Sequence, residues 1–125
     1  MALPVVAQRY ARITQLEDLS AARNYCHQHG LNWLLLGGGS NMILTQDLQS
    51  LVMHMAIVGK HWVPAENLHC TVQTSGKGIR YLQVGGGENW DDLVAWSIAE
   101  GAYGLQNLSL IPGLVGAAPV QNIGA

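Results

Sequence analysis

The chain has 125 residues, 49% hydrophobic and only 11% charged, with a net charge of −2 and an isoelectric point near 6.2. That charge content falls well below the roughly 25% of an ordinary soluble domain, so part of the apolar surface is expected to meet a neighbour. No basic patch or Lys/Arg run interleaved with aromatics is present, which argues against a nucleic-acid partner.

The length suits one domain or part of a larger one, and is enough to bury a core. The opening Met1-Ala2-Leu3-Pro4-Val5-Val6 lacks the charged and then long apolar regions of a secretory signal, so a cytoplasmic location is expected. Cys26 and Cys70 are too few for a disulfide framework and too far apart for a metal knuckle, which leaves reduced thiols. Residues 101–125 contain no charged side chain, but Asn107, Pro112, Pro119, Gln121 and Asn122 interrupt them. A spanning helix needs about 20 mostly apolar residues, so no membrane partner is expected.

In chain order, Val5–Ile13 reads as a short strand or an irregular lead. Thr14 with Glu17 three residues on resembles a capping box, predicting a helix to about Gln28 that stops at Gly30. Leu16, Leu19 and Cys26, with Ala22 beside them, form its apolar stripe. Cys26-His27-Gln28-His29 offers no metal site, because adjacent helical residues point in different directions.

Trp33-Leu34-Leu35-Leu36 predicts a strand covered on both faces. It runs directly into Gly37-Gly38-Gly39-Ser40-Asn41. Glycines take positive φ and let several N–H groups converge, and Ser40 and Asn41 add polar side chains, so the loop suits a phosphate or pyrophosphate. The same residues are also acceptable turn chemistry. Residues 45–50 read as a turn before Leu51-Val52-Met53. Ala56–Val63, Leu68–Thr74 and Arg80–Val84 read as strands of one mostly antiparallel or mixed sheet.

Gly85-Gly86-Gly87-Glu88 leads into a second helix, with Asn89 as N-cap, Asp91 and Asp92 in the first turn, and Gly101 as terminator. Trp90, Leu93, Val94, Ser97 and Ile98 form its stripe, and Trp96 lies off it. Met42 and Trp90 stand where a third glycine would complete Gly-x-Gly-x-x-Gly, so neither run is a dinucleotide fingerprint. The last stretch, Leu108 to Ala125, is small, apolar and amide-bearing. Pro112 could open a short helix there, and Gly113, Gly116 and Ala117 permit close backbone approach. Such a wall suits a flat aromatic ligand recognised through backbone hydrogen bonds, though a buried core loop would look the same.

Taken together, Leu36-Gly37-Gly38-Gly39-Ser40-Asn41, Val84-Gly85-Gly86-Gly87-Glu88-Asn89-Trp90 and the run Asn107–Ala125 resemble the UDP-N-acetylenolpyruvoylglucosamine reductase family. The resemblance implies an α+β fold, the two-lobed FAD-binding domain of the vanillyl-alcohol-oxidase (PCMH) type in truncated form, with lobes at about 1–55 and 56–125. It implies FAD as cofactor, NADPH as hydride donor and a UDP-sugar substrate whose enolpyruvyl group is reduced to lactyl in peptidoglycan synthesis. Gly37, Gly38, Gly39, Ser40 and Asn41 match the family's pyrophosphate loop. Pro112, Gly113, Gly116, Ala117, Ala118, Gln121, Asn122 and Gly124 match the wall along the ribityl chain and isoalloxazine, with Ala117 and Ala118 where some relatives carry serines.

The family's Asn-Thr-Phe-like lead and its catalytic serine, glutamate and arginine have no counterpart in these residues. No catalytic residue is therefore expected, and the 125 residues alone are expected not to turn over substrate. Self-association through the face near 101–125 is expected as well. The alternative is a stand-alone module of the same fold that has lost FAD or uses it for another purpose.

Overall fold

The structure, a computed structural model, describes residues 5–64, 66 and 78–123. Two small sheets, each with its own helix, are joined by residues 56–59. The first sheet contains β1 (Ala7–Ile13), β2 (Trp33–Leu36) and β3 (Leu48–Met55) in the order β1-β3-β2, all parallel. Between β1 and β2 the chain forms helix α1 (Leu16–His29). The predicted strand at the start is present, whereas β3 begins at Leu48, inside the residues expected to form a turn.

Helix α1 starts one residue later than the capping-box reading placed it. Gln15 is the N-cap, and Asp18 closes the box, its carboxylate accepting from the Thr14 N–H at 2.9 Å, the Thr14 hydroxyl at 2.8 Å and the Gln15 N–H at 3.2 Å. An aspartate reaches these donors with a shorter side chain than Glu17 would bring, and they hold its carboxyl below the usual aspartate range, the Thr14 amide most of all. At the other end Gly30 adopts φ 61°, and the Leu31 N–H reaches the Cys26 carbonyl at 2.9 Å, a Schellman closure that only glycine makes without cost.

Ala22 and Cys26 bury against Ile13, Leu51 and Met53, with Leu19, Leu31 and Ile57 around them. Leu16 does not join this stripe, being 68% exposed in the first turn. The helix packs chiefly on β1 and β3. Strand β2 is therefore not covered on both faces: Trp33 and Leu35, paired with Leu51 and Met53 and so on the same side as them, are 53% and 46% exposed.

The second sheet pairs β4 (Lys60–Val63) with β5 (Tyr81–Val84), antiparallel. This antiparallel pair joins two of the three strands expected to share one mostly antiparallel or mixed sheet, with β4 starting at Lys60 rather than Ala56, and the third, at Leu68–Thr74, lies outside the described residues. Helix α2 (Trp90–Ala99) begins as predicted, the Asn89 side chain accepting from the Asp92 N–H at 3.1 Å. It ends at Gly101, at φ 70°, with the Ala102 N–H on the Ser97 carbonyl at 2.9 Å. Leu93, Val94 and Ser97 are buried, and the Ser97 hydroxyl donates back to Val94 at 2.8 Å. Trp96 finds its partner within the chain, stacking on Trp62 at 5.5 Å, while Arg80 lies 3.6 Å from the Trp62 ring.

From Gly101 to Ile123 the backbone is irregular, with single 3₁₀ turns at Gln106–Leu108 and Val115–Ala117 and one turn of helix, α3 (Ala118–Gln121). Pro112 opens no helix; the helical turn carries Pro119 near its start instead. Among the described residues no helix is long and apolar enough to cross a membrane.

Candidate functional site

Parallel strands demand a return connection, and residues 37–47 provide the one from β2 to β3. The glycine loop is therefore held at the C-terminal end of β2, beside Met55 at the C-terminal end of β3, where ligands of strand-and-helix sheets commonly sit. Gly39 takes φ 71°, a left-handed conformation that turns the loop back. Among the described residues no protein acceptor lies within hydrogen-bonding geometry of the Gly38, Gly39, Ser40 or Asn41 amides. Four donors in sequence are left uncommitted.

The second wall is carried to this loop by the 85–88 turn. Gly85 and Gly87 donate to the Gly59 and Ile57 carbonyls at 2.8 and 2.7 Å, and the Gly116 N–H reaches the Gly86 carbonyl at 3.0 Å. The Trp90 N–H binds the Gly113 carbonyl at 3.0 Å, and the Val115 N–H binds the Glu88 carbonyl at 2.9 Å. Space excludes a side chain at Gly85 and Gly87 and is tight at Gly116. A Cβ on Gly85 would collide with the Ile57 carbonyl, one on Gly87 would sit 2.8 Å from Ala56, and one on Gly116 would sit 3.0 Å from the Gly86 oxygen.

A cavity of about 290 Å³ opens between the two walls, lined by residues 37–42 on one side and by Gly86, Gly113, Leu114, Gly116, Ala117, Val120 and Gln121 on the other, with Leu35 and Met55 completing it. None of the lining residues is charged. A dinucleotide fits this donor set: backbone amides and the Ser40 and Asn41 side chains can meet the diphosphate, and small or apolar side chains can meet flat rings. A charge-neutral wall also avoids burying an ion beside a flavin.

The structure brings together Gly37, Gly38, Gly39, Ser40, Asn41, Gly113, Gly116, Ala117 and Gln121, which two sequence segments had suggested separately. Pro112, Ala118 and Asn122 do not line the cavity, and Gly124 lies outside the described residues. Asn122 instead adopts φ 53° at the end of α3. Leu35, Met42, Met55, Gly86, Leu114 and Val120 were missed as lining residues, although Gly86 belongs to a motif already quoted. No group of three or more His, Cys, Asp or Glu side chains suited to a metal occurs among the described residues. His29 packs on Tyr25 at 4.1 Å and its Nδ1 lies 2.9 Å from the Tyr25 carbonyl.

Comparison with known proteins agrees with this chemistry. The family described as "FAD binding domain" matches residues 7–125. The chain is 44% identical to UDP-N-acetylenolpyruvoylglucosamine reductase of Pasteurella multocida over 98% of its length, and 44% identical to that of Dechloromonas aromatica over 100%. It is 49% identical to the Burkholderia mallei reductase over 77%. It spans 33%, 33% and 25% of these curated relatives respectively, a quarter to a third of their length. The two facing glycine walls and a family match that takes in both of them lead to one conclusion: the chain belongs to the FAD binding domain family.

Proposed function

We propose that this chain is the FAD-binding part of a UDP-N-acetylenolpyruvoylglucosamine reductase, acting in the cytoplasm in peptidoglycan synthesis. In this reading the whole enzyme takes hydride from NADPH and delivers it, with a proton from an acid to the neighbouring carbon, to the enolpyruvyl group of a UDP-sugar, forming the lactyl ether. The two-lobed arrangement of the vanillyl-alcohol-oxidase type corresponds to residues 1–55 and 56–125, with the cavity between them. Gly37–Asn41 hold the pyrophosphate, and Gly113, Gly116, Ala117 and Gln121 flank the ribityl chain and isoalloxazine. Pro112, Ala118 and Asn122 shape that segment from outside the cavity. When bound, FAD supplies hydride transfer, and the residues named here bind, orient and shield it.

The observation that carries the reading is the uncharged cavity between two glycine-rich walls, one of them with four amides that have no acceptor among the described residues. Its test compares FAD with riboflavin, which lacks the diphosphate, by quenching of flavin fluorescence. Gly39→Val, which forces a β-branched residue into left-handed backbone at φ 71°, is expected to weaken FAD by at least about tenfold and riboflavin little. Equal loss for both ligands would remove the pyrophosphate from this loop. Wild-type protein that binds neither, and is not stabilised thermally by FAD, would favour the stand-alone module without a flavin.

A further inference from the structure

Glu88 does not line the cavity, yet it is bonded to the turn that carries the second wall and to Val115 in the segment that forms it. Its Oε1 accepts the Gly59 N–H at 2.7 Å, and its Oε2 lies 3.2 Å from Lys60 Nζ, in an ion pair whose side chains are 17% and 24% exposed. Its carbonyl accepts the Val115 N–H at 2.9 Å, and its own N–H closes the turn on Gly85 at 3.1 Å. Gly59 in turn accepts from Gly85, Ile57 from Gly87, and Gly86 from Gly116. One side chain and its own peptide unit thereby join residues 57–60, 85–88 and 113–116.

We infer that Glu88 is the positioning residue of the cofactor cavity: its carboxylate, held by Gly59 and Lys60, fixes the height of Gly86 and Gly116 and so the shape offered to a planar ring system. The inference rests on the FAD reading above. A carboxylate fits this task better than a neutral acceptor, because it can receive the backbone amide and the ammonium at once through separate oxygens. The Gly59 amide first, and then Lys60, hold its carboxyl below the usual glutamate range, so it stays ionised at neutral pH.

The test measures FAD affinity and the visible circular dichroism of bound flavin for Glu88→Gln, Lys60→Met, Glu88→Ala and the Gln/Met double variant of the full chain. Glu88→Gln and Lys60→Met are each expected to weaken FAD by about threefold, and the double variant by no more than either, because both remove one interaction. Glu88→Ala, which also strands the Gly59 amide, is expected to lose about tenfold or more and to alter the flavin dichroism. Glu88→Gln should restore most of that signature, since it keeps an acceptor for Gly59. Variants with lowered melting temperatures but unchanged FAD affinity and dichroism would overturn the inference while leaving the FAD site intact. So would a double variant whose loss is the product of the single ones. If Glu88→Ala does not fold, the other three variants still decide. Absence of FAD binding by the wild type would remove the reading beneath the inference, a result distinct from all of these.

Discussion

Leu110 has φ 63°, a conformation that costs a non-glycine residue about 1–2 kcal/mol, yet its side chain is 86% exposed and recovers little by burial. The Asp91 carboxylate accepts its N–H at 2.6 Å, and the Trp90 indole donates to the Leu108 carbonyl at 2.8 Å, so the start of α2 holds this bend. Leu110→Gly is expected to stabilise the chain by about 0.5–1 kcal/mol in denaturant melts. A loss of stability would show that the leucine side chain makes a contribution its exposure hides. Asp18 gives a pH-dependent counterpart. Its folded-state carboxyl titrates below the ordinary aspartate range, so its contribution is present above the unfolded value and disappears as pH falls through the folded one. The melting temperature of Asp18→Asn should lie below wild type at neutral pH, and the gap should close below about pH 4, where an aspartate protonates. A gap independent of pH would exclude the carboxylate as its source.

The helices were legible because their signals are local. Asn89 before an apolar stripe and Gly30 or Gly101 after one state where a helix begins and ends. The capping box was misplaced by one residue because Thr14 and Gln15 both precede an acidic residue at suitable spacing, and only geometry shows Asp18 taking the part assigned to Glu17. The parallel sheet was not legible, since β3 pairs with residues some forty positions away in β1, and nothing within the run Leu48–Met55 names that partner. Likewise Met55, Leu114 and Val120 line the cavity as ordinary apolar residues, and their role comes from where β3 and the 113–121 segment end. The turn between β5 and α2 is the most exacting element. Gly85→Ala would drive a methyl group into the Ile57 carbonyl and is expected to cost about 1–3 kcal/mol, the range for overpacking without room to relax. Melting at the wild-type temperature would mean the 57–59 segment moves aside freely. Trp96→Ala should cost more than the area it buries, by about 0.5–1.5 kcal/mol, because its ring stacks on Trp62.

For the whole molecule, the low charge content now has a location. Tyr103, Leu110 and Val120 are 77%, 86% and 87% exposed in the segment that forms the second wall, and Ile43 is 81% exposed just after the first. We propose that these exposed apolar side chains drive self-association of the chain, and that FAD, by covering Val120, reduces the effect. Sedimentation velocity should show larger species as concentration rises, fewer of them with FAD present; a monomer at every concentration would count against the proposal.

Sheet order also dictates a sequence of events during synthesis. Strand β3 lies between β1 and β2, so the two strands made first have no partner in each other and must wait for the third. Until Met55 has left the ribosome, β1, α1, β2 and the entire glycine loop exist without their common neighbour, and the end of the sheet that borders the cavity is the last part of it to form.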